Sequence, residues 1–177
     1  MMSHVLLLDT NVWSHMILGD PAMRTVVTAQ LAALRLTYPG ATLATSGICV
    51  AECLVAARRL LDPVVALQFE AEFTARFAAP GVVIVPVTEQ VLDRAAKLRA
   101  DRLKLSAALG GQAAGPKGGK LLLPDAIIAA SCLDFQPPAI LVTENAADFR
   151  YKDNGVPKTV ADLTVEGVGT LPETMLA

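Results

Sequence analysis

With 177 residues, 53% of them hydrophobic, the chain is long enough for one substantial core and too short for two, so a single domain over residues 1–162 with a C-terminal tail over 163–177 is expected. Fifteen Lys and Arg against 17 Asp and Glu leave a net charge of -2, which excludes the global positive field of a general nucleic-acid binder; any such contact must be local. No charge-free stretch is uniformly apolar over the ~18 residues a membrane span needs. The opening MMSHVLLLD lacks the basic and long apolar regions of a secretory signal, and Cys49, Cys53 and Cys132 are odd in number with no nearby His, so a cytosolic protein with buried thiols is expected.

Strand-like and helix-like segments alternate along the chain. Val5 to Leu8 is a short apolar run stopping at Asp9, as a buried parallel strand would. Pro21 to Thr37 has a helical pattern closed by Pro39-Gly40. Thr42 to Thr45 reads as a second short strand, with Ser46 as N-cap of a helix that carries Glu52. Asp62-Pro63 opens another helix, because Pro is favoured at the first helical position. Val82 to Val87 is the clearest β-branched run, and Thr88 and Glu89 open an amphipathic helix whose apolar stripe is Val91, Leu92, Ala95 and Leu98. Arg94, Lys97, Asp101 and Lys104 fall on another face, read as a solvated surface with helical charge pairing. Residues 106–120, SAALGGQAAGPKGGK, read as a loop with a mobile or binding role. This is not a phosphate-binding P-loop, since Ala114 and Leu121 stand where that motif needs Gly and Ser or Thr. Pro124 and Asp125 begin the next helix, Ala139 to Val142 reads as a strand and Asn145 to Phe149 as a short helix. A last strand is expected near Thr159 and Val160, with a fraying tail from Leu163. This alternation predicts an α/β fold, a parallel sheet with helices on both faces.

Three nearly apolar stretches each carry one carboxylate. Asp9 ends VLLLD, Glu52 sits in GICVAECLVAA and Asp125 lies in LPDAIIAASC. Glu52 is the only charged residue between Arg35 and Arg58, and Asp125 the only one between Lys120 and Asp134. A lone acid in a core-forming segment is destabilising unless a cation meets it. With no local Lys or Arg to serve, the acids are expected to converge on a shared divalent ion, and oxygen-only ligands select a hard one, Mg²⁺ or Mn²⁺. Asp9 and the segment Thr143 to Asp148 both follow strands, where open α/β sheets bind ligands.

The motifs LLLDTNVWS, AECL, LPDAIIAAS and VTENAADF resemble, in order and approximate spacing, those of PIN-domain ribonucleases, most closely the VapC-type toxins of toxin–antitoxin pairs; the likeness runs from Val5 to Phe149. The resemblance implies a three-layer α/β/α sandwich and a metal-dependent endoribonuclease acting on single-stranded RNA. It also implies a homodimer restrained by a cognate antitoxin. Asp9, Glu52, Asp125 and Asp148 would be the acidic quartet holding Mg²⁺ or Mn²⁺, with Asn11 and Thr143 as polar supports. Two features depart from the pattern. Glu144 follows Thr143 where a basic or neutral residue is common, and the glycine-rich stretch before Asp125 is longer than usual.

Each acid read singly also fits a structural role. Asp9 could cap a helix after a strand, Asn11 could serve a turn, Asp125 could complement a helix dipole and Asp148 could belong to a cap. Glu52, inside a helix among apolar neighbours, escapes those readings. His4 and His15 read as structural or surface residues, and Trp13 as core. Because net charge is negative, phosphate contacts must come from local cations, and Lys117 and Lys120 are candidates by their nearness to Asp125 in sequence. Two rival functions are a non-catalytic interaction module of the same fold and a haloacid dehalogenase-type phosphatase. The latter expects a second Asp where Asn11 stands.

Overall fold

Leu6, Leu7 and Leu8 are fully buried in the first strand, β1 (Val5–Leu8), and each such side chain stabilises the fold by about 1.5–3 kcal/mol. In the computed structural model, which describes residues 4–108, 121–153 and 156–169, β1 is the middle of a five-stranded sheet. Its neighbours are β2 (Thr42–Ser46) and β4 (Ile140–Thr143), flanked by β3 (Val82–Val85) and β7 (Val165–Gly167). The order is β3-β2-β1-β4-β7 and all four pairings are parallel, with Leu7 opposite Ala44 and Leu141.

Successive side chains of a strand point to opposite faces, so one sheet serves two cores. Leu6, Leu8, Ile140 and Val142 pack with Trp13, Ile17, Val27, Phe73 and Phe77, which come from α1 (Thr10–Ile17), α2 (Pro21–Thr37) and α4 (Pro63–Phe77). Leu7 and Leu141 face Val91, Ala95 and Ile128, from α5 (Glu89–Ala108) and α6 (Leu123–Cys132). Helix α3 (Gly47–Arg58) feeds both layers, Cys49 into one and Cys53 with Ala57 into the other. The three-layer α/β/α sandwich is thus present.

Local signals placed several elements. Asp20 accepts hydrogen bonds from the Ala22 and Met23 amides, and Asp62 from those of Val64 and Val65, each capping a helix that opens with Pro. Other expectations are corrected. Helix α1, not foreseen, follows Asp9 directly. Ser46 occupies the N-cap position of α3 but makes no cap bond; buried, it accepts instead from the Ser131 hydroxyl at 2.9 Å. Leu92 is 45% exposed, because the buried stripe of α5 runs through Val91 and Ala95. Arg94 is no free surface charge, since it bonds Asp134 and the Ala130 carbonyl of α6. The helix α5 continues to Ala108, so residues 106–108 are not loop; the remainder of the glycine-rich segment, with Lys117 and Lys120, lies outside the described residues.

The strand expected near Thr159 belongs to an antiparallel pair, β5 (Arg150–Asp153) with β6 (Val156–Thr159), separate from the main sheet. The fraying tail from Leu163 is corrected for residues 163–169. Leu163, Val165 and Val168 are buried, and β7 pairs with β4, whose Leu141 stands opposite Val165, a partner 24 residues earlier that no local pattern reveals. Among the described residues no helix is long and apolar enough to cross a membrane.

Candidate active site

The strand order reverses between β1 and β4, and in open α/β sheets ligands bind at such a switch point, beyond the carboxyl ends of the strands. Asp9 is the first residue after β1, while Thr143 ends β4 and Glu144 follows it. Helix α3 leaves the same rim after β2. Helix α6, running back across the sheet before β4, starts there too. A cleft of about 740 Å³ results, lined by Asp9, Thr10, Asn11, Glu52, Asp125 and Glu144 among others.

Asp9 is buried, 5% exposed, and both its oxygens are held. Oδ1 accepts the Thr10 amide at 2.6 Å as the N-cap of α1, and Oδ2 accepts the Thr143 hydroxyl at 2.6 Å. Thr143 in turn accepts from the Asn145 amide at 3.0 Å and from Asn11 Nδ2 at 3.4 Å, which leaves its one hydroxyl proton for Asp9. Asn11 Oδ1 accepts the Glu144 amide at 3.1 Å, tying α1 to the end of β4. The cap reading of Asp9 therefore holds for one oxygen, while the other is oriented from β4.

Thr10 links two acids. Its amide serves Asp9 and its hydroxyl donates to Glu52 Oε2 at 2.5 Å. Burial pushes the Asp9 carboxyl above its ordinary value; hydrogen bonds from Thr143 and Thr10 oppose this and the nearby Glu52 charge adds to it. The site therefore confines carboxylates of like charge, one of them desolvated, which is the electrostatic condition a cation relieves. Asp125 enters from the first turn of α6, half-buried.

Asp148, the fourth expected acid, sits half-buried in a 3₁₀ turn, Ala146–Phe149, whose Ala146 and Phe149 side chains anchor in the core, three residues beyond the cleft-lining Asn145. Glu144 lines the cleft as the first residue past the strand end, and its carboxylate is bonded to His15 Nε2 at 2.8 Å. Among the described residues, no three acidic, His or Cys side chains are clustered as around a bound metal ion. Thr10, Ser14, His15 and Arg59 also line the cleft. None stood out in the sequence; only Thr10, beside Asp9, carried a positional hint. The three thiols are buried, and desolvation pushes Cys49 and Cys53 up to about 12 and Cys132 well above its ordinary value, so none supplies a nucleophile.

A second hollow, of about 580 Å³ and mostly apolar, lies between α2 and the end of α4, lined by Trp13, Met16, Leu31, Leu43 and Val82 with Arg35 and Arg76 at its edge.

Comparison with known proteins agrees with this geometry. The fold matches VapBC2 from Rickettsia felis, solved bound to a DNA fragment from their promoter, with TM-score 0.60 and 17% identity over 93% of this chain and 98% of that one. It also matches a toxin–antitoxin complex from Klebsiella pneumoniae, with TM-score 0.53 and 24% identity over 81% of this chain and 89% of the other. A third match is Mycobacterium tuberculosis VapC20, a sarcin–ricin loop cleaving toxin, with TM-score 0.54 and 14% identity over 77% of this chain and 86% of that one. Curated protein sequences yield no significant match. The family model described as PIN domain matches residues 6–152, and with that span covering most of the sheet and the whole acidic rim, the chain belongs to the PIN domain family.

Proposed function

We propose that this protein is a divalent-metal-dependent endoribonuclease that hydrolyses phosphodiester bonds of single-stranded RNA, and that it is the toxin of a toxin–antitoxin pair. The observation that carries this reading is the convergence of Asp9, Glu52 and Asp125 from three separate elements on one cleft at the switch point of the sheet. The donor set is oxygen only, which suits Mg²⁺ or Mn²⁺, and Asp9, Glu52 and Asp125 would hold the ion. When bound, such an ion lowers the pKa of a coordinated water and neutralises charge developing on the phosphate and the leaving oxygen. The chain itself does the positioning. Thr143 fixes Asp9 Oδ2, Thr10 holds Glu52 against Asp9, and Asn11 keeps the segment after β4 closed on α1.

Toxin and antitoxin roles named for structurally similar proteins support the biological half of the proposal. The apolar hollow between α2 and α4 suits an amphipathic segment of an antitoxin, and Arg35 and Arg76 at its edge favour a partner carrying carboxylates. A mean hydropathy of +0.47 and exposed Val83, Ile84 and Val87 at the β3 edge favour a homodimer, and the protein is expected to act in the cytoplasm.

The test is cleavage of RNA with Mg²⁺ or Mn²⁺, compared with EDTA and with Asp9→Asn and Asp125→Asn. Each substitution should lower the rate by orders of magnitude. Apo thermal stability should stay level or rise, because an amide removes like-charge repulsion. Cleavage undiminished in both variants and in EDTA would refute the metal-site reading. Expression alone that is harmless to cells, with no small protein co-purifying on co-expression with the adjacent reading frame, would refute the toxin reading.

A further inference from the structure

Two arginines end helix α3, and the structure treats them differently. Arg58 is clamped by Glu70 of α4, Nε at 3.1 Å and Nη2 at 2.6 Å from the two carboxylate oxygens. One basic residue at a helix C-terminus is explained by the macrodipole, and Arg58 in the last turn supplies it. Arg59, at the C-cap, is exposed and lines the acidic cleft, and among the described residues no carboxylate lies within ion-pairing distance of it. It stands seven residues beyond Glu52. Two helical turns, about 10.5 Å, separate the two along one face of α3. Between them Val55 and Ala56 also line the cleft, with no polar group to compete for a ligand.

We propose that Arg59 binds a backbone phosphate of the RNA flanking the cleaved bond; this rests on the nuclease reading above. A guanidinium offers a planar fork of donors that matches two phosphate oxygens. In a chain of net negative charge whose cleft is acidic, a substrate polyanion needs such a local cation to dwell near the carboxylates. Standing two turns from Glu52 and not paired with it, Arg59 meets the strand beside the reacting phosphate, so it governs binding and leaves the bond-breaking step alone.

The experiment has two parts on one probe, a fluorescein-labelled single-stranded RNA of mixed sequence. Fluorescence anisotropy in EDTA over a salt series gives Kd and its salt slope, and cleavage with Mn²⁺ gives KM and kcat. Arg59→Ala should raise Kd and KM by about ten-fold, flatten the slope by about 0.7, as for one lost single-strand phosphate contact, and leave kcat within about two-fold. Arg59→Lys should recover the slope but only part of the affinity, and Arg58→Ala should bind as wild type does. An Arg59→Ala protein with wild-type slope and KM overturns the proposal, as does loss of kcat at unchanged KM, or an equal loss in Arg58→Ala. Wild-type protein that shows no Asp9-dependent cleavage overturns the nuclease reading and this proposal with it. Asp9-dependent cleavage that ignores Arg59→Ala overturns this proposal alone.

Discussion

Thr143→Val isolates the hydroxyl on which the site turns. Thr143 is fully buried and its Oγ1 donates to Asp9 Oδ2 at 2.6 Å while accepting from Asn145 and Asn11. Valine keeps the shape and deletes these bonds. The Asn145 side is exposed and water replaces its partner, but Asp9 is 5% exposed and its oxygen loses a charge-assisted donor. Such a bond is worth about 1.5–3 kcal/mol, so the Tm should fall on the order of 3–12 °C for a domain of this size. The pH dependence carries the diagnosis. Asp9 already has a folded pKa above its ordinary 3.8, chiefly through burial, and the Thr143 hydroxyl opposes that rise. A carboxyl so raised contributes stability that is complete below the unfolded pKa and is lost as pH climbs through the folded one. Without the hydroxyl the folded pKa rises further. The stability deficit of the variant should therefore be largest at neutral pH and shrink on acidification toward 3.8, and the acidic limb of the cleavage profile should move to higher pH. Thermal melts of the apo protein across pH, repeated in an Asp9→Asn background, measure this. The cost should be smaller in that background, where no charge remains to be stranded. A deficit below about 0.5 kcal/mol, or one equal in both backgrounds and at all pH values, would refute the role assigned to this bond.

Asp148→Asn should lower steady-state cleavage less than Asp9→Asn, since Asp9 is buried and held through both oxygens at the head of the cleft; equal losses would rank Asp148 with the central acids and refute that ordering. Replacing both Lys117 and Lys120 with Ala should weaken RNA binding and flatten its salt dependence by about 0.7 per lost contact, and an unchanged slope would remove the glycine-rich segment from the binding surface.

Where the determining signal is local, the sequence alone was enough. The helix at Pro21–Thr37 and the start of α4 follow from an Asp cap before Pro, and β1 follows from an uninterrupted apolar run. Asp9, Glu52 and Asp125 were legible for a related reason: a single charge in an apolar stretch carries an energetic cost that something must offset, and the structure brings all three to one rim. Pairing between distant segments was hidden. Strand β7 acquires its partner β4 from across the chain, and a short strand such as Val165–Gly167 carries too few residues to show a period of its own. The same holds for the supporting groups. Thr10, His15 and Arg59 are ordinary surface-type residues in sequence, and only the reversal of strand order between β1 and β4 puts them around one cleft, because proximity there is set by the crossover of the chain and not by its local composition.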